Sequence, residues 1–238
     1  MALPKLNTPT YELVLPSSEE KIKFRPFLVK EEKILMIAME SNDNSQIIEA
    51  VKTIVSECTF NQVKVAEIPM FDVEYLFLNI RAKSVGEISE IRLLCQDDGK
   101  TYANVEVDLT EVNVKVNQDH TNKIELTDDT GMLMKYPTID SFKDSGLTTD
   151  VNPSNMLEIV ASCISQIYEE KGEKVYEAKD QTTKELIEFL EQMNTKQFKD
   201  VQHFFENMPK LKHEVQFVNP KTKKKSKVML QGLNDFFG

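Results

Sequence analysis

The residues able to do metal or nucleophilic chemistry are few. They are three histidines, His120, His203 and His213, and three cysteines, Cys58, Cys95 and Cys163. The histidines form no HxxxH pair, and no cysteine stands at metal-ligand spacing from any of them. The stretch around Cys95 has the layout of half a zinc ribbon, but the second cysteine is missing. Cys58 and Cys163 fall on apolar helical stripes, where a thiol behaves as a small hydrophobe. Cys95 has no neighbouring base in the sequence to activate it as a nucleophile. Asp97-Asp98-Gly99 has the acidity of a calcium loop without its ligand spacing or closing Glu, so it reads as a hairpin turn. No glycine pattern matches a phosphate loop, and Gly99 and Gly131 belong to turns. No carboxylate pair flanked by aromatics suggests a glycan cleft. The expectation is a chain with no catalytic residues, no metal and no organic cofactor.

Two charged or apolar features remain. Lys221-Thr222-Lys223-Lys224-Lys225-Ser226-Lys227 is a basic run in an acidic chain. It suits an acidic partner or nucleic acid, but it has no interleaved aromatics for stacking bases, and a solvated hairpin tip is the simpler reading. The chain ends in Phe236-Phe237-Gly238. These rings either enter the chain's own core or dock into a partner.

The 238 residues suffice for one large domain or two small ones, and 40% hydrophobic content supports a core. A net charge of −10 disfavours general nucleic-acid binding. No apolar run approaches the roughly 20 residues of a membrane helix. Met1 to Pro9 lacks the pattern of a signal peptide. Three well-separated cysteines suit a reducing compartment.

The elements that must hold any site can be traced in order. Residues 1 to 9 read as an extended arm, because Pro4 and Pro9 block helix. Tyr11 to Leu15 and Lys21 to Phe24 alternate as a strand pair. Leu28 to Met39 is helical, with Leu28, Ile34, Leu35, Ala38 and Met39 making one face. Gln46 to Cys58 is a second amphipathic helix. Met70 to Ser84 is the densest apolar stretch, with Phe71, Tyr75, Leu78 and Ala82 at helical spacing. It reads as a buried helix capped by Asp72 and stopped by Gly86. After Gly86 the period becomes two: Ile91 to Leu109 is a hairpin around Asp97-Asp98-Gly99-Lys100, and shorter strands follow near Val114, Ile124 and Met132. A helix is expected from Asn152 through Tyr168, a polar connection to Asp180, helices Thr183 to Met193 and Thr195 to Met208, and a last hairpin from Glu214 to Leu230. That hairpin echoes the one at Ile91 to Leu109, either as a true repeat or because hairpins look alike. The fold class is α+β: an N-terminal hairpin with helices (1–86), a β-rich middle (87–150), and a helical C-terminal part closed by a β-hairpin (151–238).

Several stretches carry a family resemblance. They are Met1 to Tyr11, Phe24-Arg25-Pro26-Phe27-Leu28-Val29-Lys30-Glu31-Glu32-Lys33, Phe71-Asp72-Val73-Glu74-Tyr75-Leu76-Phe77, Arg81-Ala82-Lys83-Ser84-Val85-Gly86 and Leu233-Asn234-Asp235-Phe236-Phe237. Together they resemble the baseplate hub protein family of T-even-type contractile-tailed bacteriophages. The resemblance implies a non-enzymatic structural or assembly protein of the tail baseplate hub. It would be made in the host cytoplasm and would end in the virion tail baseplate. The alternative is an assembly chaperone absent from the mature virion; a cell-wall hydrolase is a third option, disfavoured by the residues above. Partners would be other baseplate or tail proteins, with homo-oligomerisation also open, and neither nucleic acid nor membrane. The expected contact residues are Leu3, Leu6, Arg25, Phe27, Lys30, Arg81, Lys83, Phe236 and Phe237.

Overall fold

The structure, a computed structural model, describes residues 6–41, 43–117, 120–142, 153–169 and 173–237. It is α+β, built from helices and small antiparallel sheets. The chain divides into two compact units: Met1–Lys115 with Lys210–Gly238, and Val116–Pro209. The boundaries expected at residues 86 and 150 marked changes of hydrophobic period. The compact units break elsewhere because the last hairpin pairs back onto a strand near residue 114.

In the first unit, β1 (Tyr11–Val14) and β2 (Lys21–Phe24) form the expected hairpin, with Tyr11 opposite Phe24. Helices α1 (Val29–Glu40), α2 (Asn44–Cys58) and α3 (Met70–Val85) follow. Helix α3 is buried along most of its length, including Val73, Leu76, Leu78 and Ile80 at 0% exposure. It ends at Gly86, whose φ of 143° is open to glycine but strained for other residues. Its cap is Pro69 rather than Asp72. The Asp72 carboxylate, itself buried, instead accepts bonds from the backbone N–H and hydroxyl of Ser17 in the β1–β2 turn. A side chain placed to cap its own helix thus ties a distant turn to it.

Strands β3 (Ile88–Leu94) and β4 (Tyr102–Asp108) form one hairpin. Strand β5 (Asn113–Lys115) pairs with the later β10 (Lys210–Val218), which in turn pairs with β11 (Lys225–Gln231). Both hairpins contribute to one core: Ile91, Val107 and Leu109 pack with Leu211, Val215 and Leu230 and with Leu78 and Ala82 of α3. The two hairpin turns meet as well. Asn219 donates to Asp97 at 2.8 Å, and the Thr222 hydroxyl donates to the same carboxylate.

The second unit is a four-stranded antiparallel sheet in the order β6 (Lys123–Glu125), β7 (Gly131–Met134), β8 (Ile164–Glu169), β9 (Lys174–Glu177), with helices α4 (Pro153–Ser162), α5 (Thr183–Glu191) and α6 (Thr195–Asn207). Its core gathers Ile124, Met132, Met134, Val160, Cys163, Ile164, Leu190, Val201 and Phe204. Two expectations fail here. The helix expected through Tyr168 ends at Ser162, and residues 164–169 are a strand; the expected polar connection contains β9. The misreading has a physical source. Leu133 pairs with Gln166 and Met134 with Ile164, so Ser165 is an extra residue, a bulge. The bulge lets Ile164 and Ile167 both be buried at a spacing of three, which imitates a helix. Helix α6 is capped by Asn194, whose side chain accepts from the N–H groups of Lys196 and Gln197 at 2.9 and 3.1 Å.

Candidate partner-binding surface

The first unit presents an apolar helix face to solvent. Helix α1 buries only Glu31 and Ala38 fully. Val29 is 79% exposed, Met36 57%, Ile37 54% and Met39 53%, and Leu28 and Ile34 are exposed too. The sequence reading grouped Leu28, Ile34, Leu35, Ala38 and Met39 on one face; the structure buries Ala38 and leaves Leu28, Ile34 and Met39 exposed. The signal was present in the chain. Ile34 to Met39 is an unbroken apolar run, and at 100° per residue it covers every side of a helix. One neighbour, α2, cannot cover all of it.

The start of α1 is pinned by a polar cluster. The Glu31 carboxylate accepts from the Leu28 N–H at 2.7 Å, pairs with Arg25 at 2.9 Å and meets Lys30 at 3.1 Å. Arg25 also donates to the Pro26 carbonyl at 3.0 Å. Burial works against both charges, yet the bonds between them win: the Arg25 guanidinium is held above its ordinary value and the Glu31 carboxyl below its own. Arg25, expected as a contact residue, is thus an internal ion-pair partner. Lys30 keeps an exposed side chain that spans Glu31 and Glu57. Phe27 is half-buried, and its N–H donates to the Ser84 hydroxyl at 2.9 Å.

The other expected contact residues scatter. Leu6 is 92% exposed on the arm, and residues 6–10 are exposed throughout. Leu3 lies outside the described residues. Lys83 pairs with Glu87 and lies 5.4 Å over the Tyr11 ring. The Arg81 side chain is half-buried, and burial draws its pKa down. Residues Gly232–Phe237 form a short helix, α7, entered through Gly232 at φ 69°. Phe236 sits at 0% exposure in the core with Leu78, Ile91 and Leu230, and its carbonyl accepts from the Ser89 hydroxyl at 3.2 Å. Its ring belongs to the chain's own core. The side chain of Phe237 lies outside what is described. Above α7, the Glu74 carboxylate receives the Leu233 N–H, and burial lifts it to about 7.

The Lys221 to Lys227 run forms the β10–β11 tip and its first strand residues, with its lysines exposed and Lys227 paired to Glu214 at 3.0 Å. The simple hairpin-tip geometry holds. In the second unit, a cleft of about 400 Å³ is lined by His120, Lys123, Glu125, Asp200, His203 and Phe204, among others. His120 packs against Tyr136 and Phe204, with ring centroids 5.5 and 5.1 Å away, and burial, then His203, lowers its pKa. Among the described residues no three His, Cys, Asp or Glu side chains are grouped to hold a metal. All three cysteines are buried, and burial raises Cys58 and Cys163 to about 11. Among the described residues no helix is long and apolar enough to cross a membrane.

The family model described as T4 bacteriophage base plate protein matches residues 8–238. The chain belongs to that family. Membership associates it with the phage tail baseplate and with other baseplate proteins as its neighbours. The match spans both compact units, so the base plate family covers the α1 face and the second unit's cleft alike. Searches of curated proteins and of solved structures returned no significant match.

Proposed function

We propose that this base plate family member is a non-enzymatic structural or assembly subunit of the baseplate hub, acting through protein–protein contacts. The observation that carries the reading is α1. A helix with Val29, Met36, Ile37 and Met39 each more than half exposed is an unusual surface for a protein that works alone. Contiguous exposed apolar side chains of this kind serve as anchors, each worth roughly 1.5 to 3 kcal/mol when fully covered. The arm at residues 6–10 and the side chains of Leu6 and Lys30 are further contact candidates, since all are exposed. Arg25 and Phe236 support the subunit internally. Assembly would take place in the host cytoplasm, where buried, unpaired thiols stay reduced.

The test is co-expression with other baseplate proteins of the same phage, followed by co-purification. The full chain should bring them down, and deletion of residues 2–9 combined with Met36→Asp should not, while circular dichroism stays unchanged. Failure of the full chain to retain any baseplate protein would refute the reading. Mass spectrometry of purified virions then separates a resident subunit, which is present, from an assembly chaperone, which is absent.

A further inference from the structure

The exposed residues of α1 have an internal symmetry that selects a particular occupant. At 100° per residue, Lys33 and Glu40 lie 20° apart in azimuth, along the middle of the exposed side. Met36 and Ile37 lie on either side of that line, and both are more than half exposed. Lys33 and Glu40 are exposed too. All four positions are symmetric about the midpoint between Met36 and Ile37.

A two-fold axis lying in the contact plane, perpendicular to the helix and level with that midpoint, brings the same face of a second copy against it, antiparallel. It sets Lys33 of one copy opposite Glu40 of the other, twice. It also sets Met36 opposite Met36 of the other copy, and Ile37 opposite Ile37. A two-fold contact is isologous, so a surface that complements itself in this way fits a second copy of the same chain. The two apolar pairs flank the axis at the centre, and the ion pairs lie along the seam about one helical turn to either side of it.

We infer that α1 is a homodimerisation helix, packed antiparallel on α1 of a second copy with Lys33–Glu40 pairs setting the register. The inference deepens the proposed function and rests on its premise that the chain acts through protein contacts. A twelve-residue helix spans about 18 Å, so the contact is at the small end for stable complexes, and the dimer should be a weak one. The charge of −10 on each copy opposes association in general, which makes the local opposite charges decisive for register.

Sedimentation velocity of the full chain over a concentration series tests it. The wild type should show a reversible monomer–dimer equilibrium. Met36→Asp should leave only monomer, with circular dichroism unchanged. Lys33→Glu should weaken dimerisation about tenfold or more, because it sets two carboxylates against each other twice. Lys33→Glu combined with Glu40→Lys should restore it. A monomeric wild type at every concentration overturns the inference, as does a double variant no better than Lys33→Glu alone. A monomeric wild type whose α1 variants lose other baseplate proteins assigns the face to one of those proteins and also overturns it. The two readings fail separately: a dimer that retains no baseplate protein refutes the proposed function and leaves the α1 contact standing.

Discussion

Glu74 should make the first unit less stable as the pH rises through neutrality. Its carboxyl, on α3, accepts the Leu233 N–H at the start of α7, and a Cβ placed on Gly232 would lie 3.2 Å from its Oε1. Burial disfavours the charged form and lifts the group from 4.5 to about 7; the single bond from Leu233 only partly offsets this. Between those values the folded chain keeps the proton and the unfolded chain releases it. Stability from this group is therefore complete below pH 4.5 and is lost as the pH rises through 7. One pH unit in that window corresponds to about 1.4 kcal/mol, so on the order of 2 to 3 kcal/mol is lost between roughly pH 5 and pH 8. Glu74→Gln keeps the acceptor oxygen and cannot ionise. Urea unfolding of both proteins, monitored at pH 5, 6, 7 and 8, should show the variant gaining on the wild type by on the order of 2 to 3 kcal/mol across the series. Parallel profiles for the two proteins would show that the carboxyl is solvated, and the argument from its burial would be wrong.

Phe236→Ala should lower stability by about 3 to 5 kcal/mol, because it empties a fully buried site, and thermal denaturation will register it. Arg25→Ala should cost about 3 to 5 kcal/mol by leaving Glu31 buried with one charged neighbour fewer. Arg25→Met with Glu31→Leu should cost less than Arg25→Ala alone, as a double-mutant cycle in urea will show. Gly131→Ala should destabilise the second unit by about 1 to 3 kcal/mol, since the new Cβ would fall 2.1 Å from the Tyr168 hydroxyl oxygen and 2.7 Å from the Ile124 carbonyl; limited proteolysis will locate the loosened region. The three buried thiols should resist an aromatic disulfide reagent at neutral pH in the folded protein and react together on unfolding.

Local pattern determined much of this protein. The hairpin at Tyr11–Phe24, the α3 helix from Met70, its stop at Gly86, and the β3–β4 hairpin around Gly99 were all legible, because each rests on a period, a turn residue or a breaker within a few positions. The family resemblance was legible too, and the base plate match bears it out. Other features rested on partners distant in the chain. Asp72 stands where a capping residue belongs, yet its carboxylate serves Ser17, 55 positions earlier. Phe236 and Arg25 stood among the expected contact residues, with the chain's own core left open for the ring; Phe236 packs with Leu78 and Ile91, and Glu31 holds Arg25. The strand from Ile164 imitates a helix because a bulge at Ser165 shifts its facing period, and a bulge is defined only by the strand opposite.

The contact surface divides the same way. Sequence alone shows that the run Ile34 to Met39 is apolar on every side of a helix, so some of it must exceed what one neighbour can cover. Which side is left over depends on where α2 packs and on Glu31 being drawn inward by Arg25. Hydrophobic burial is non-directional, so the pattern can state how much apolar surface a helix carries but not which part meets a neighbour. That choice belongs to the packed structure, and it leaves Met36 and Ile37 facing solvent beside Lys33 and Glu40.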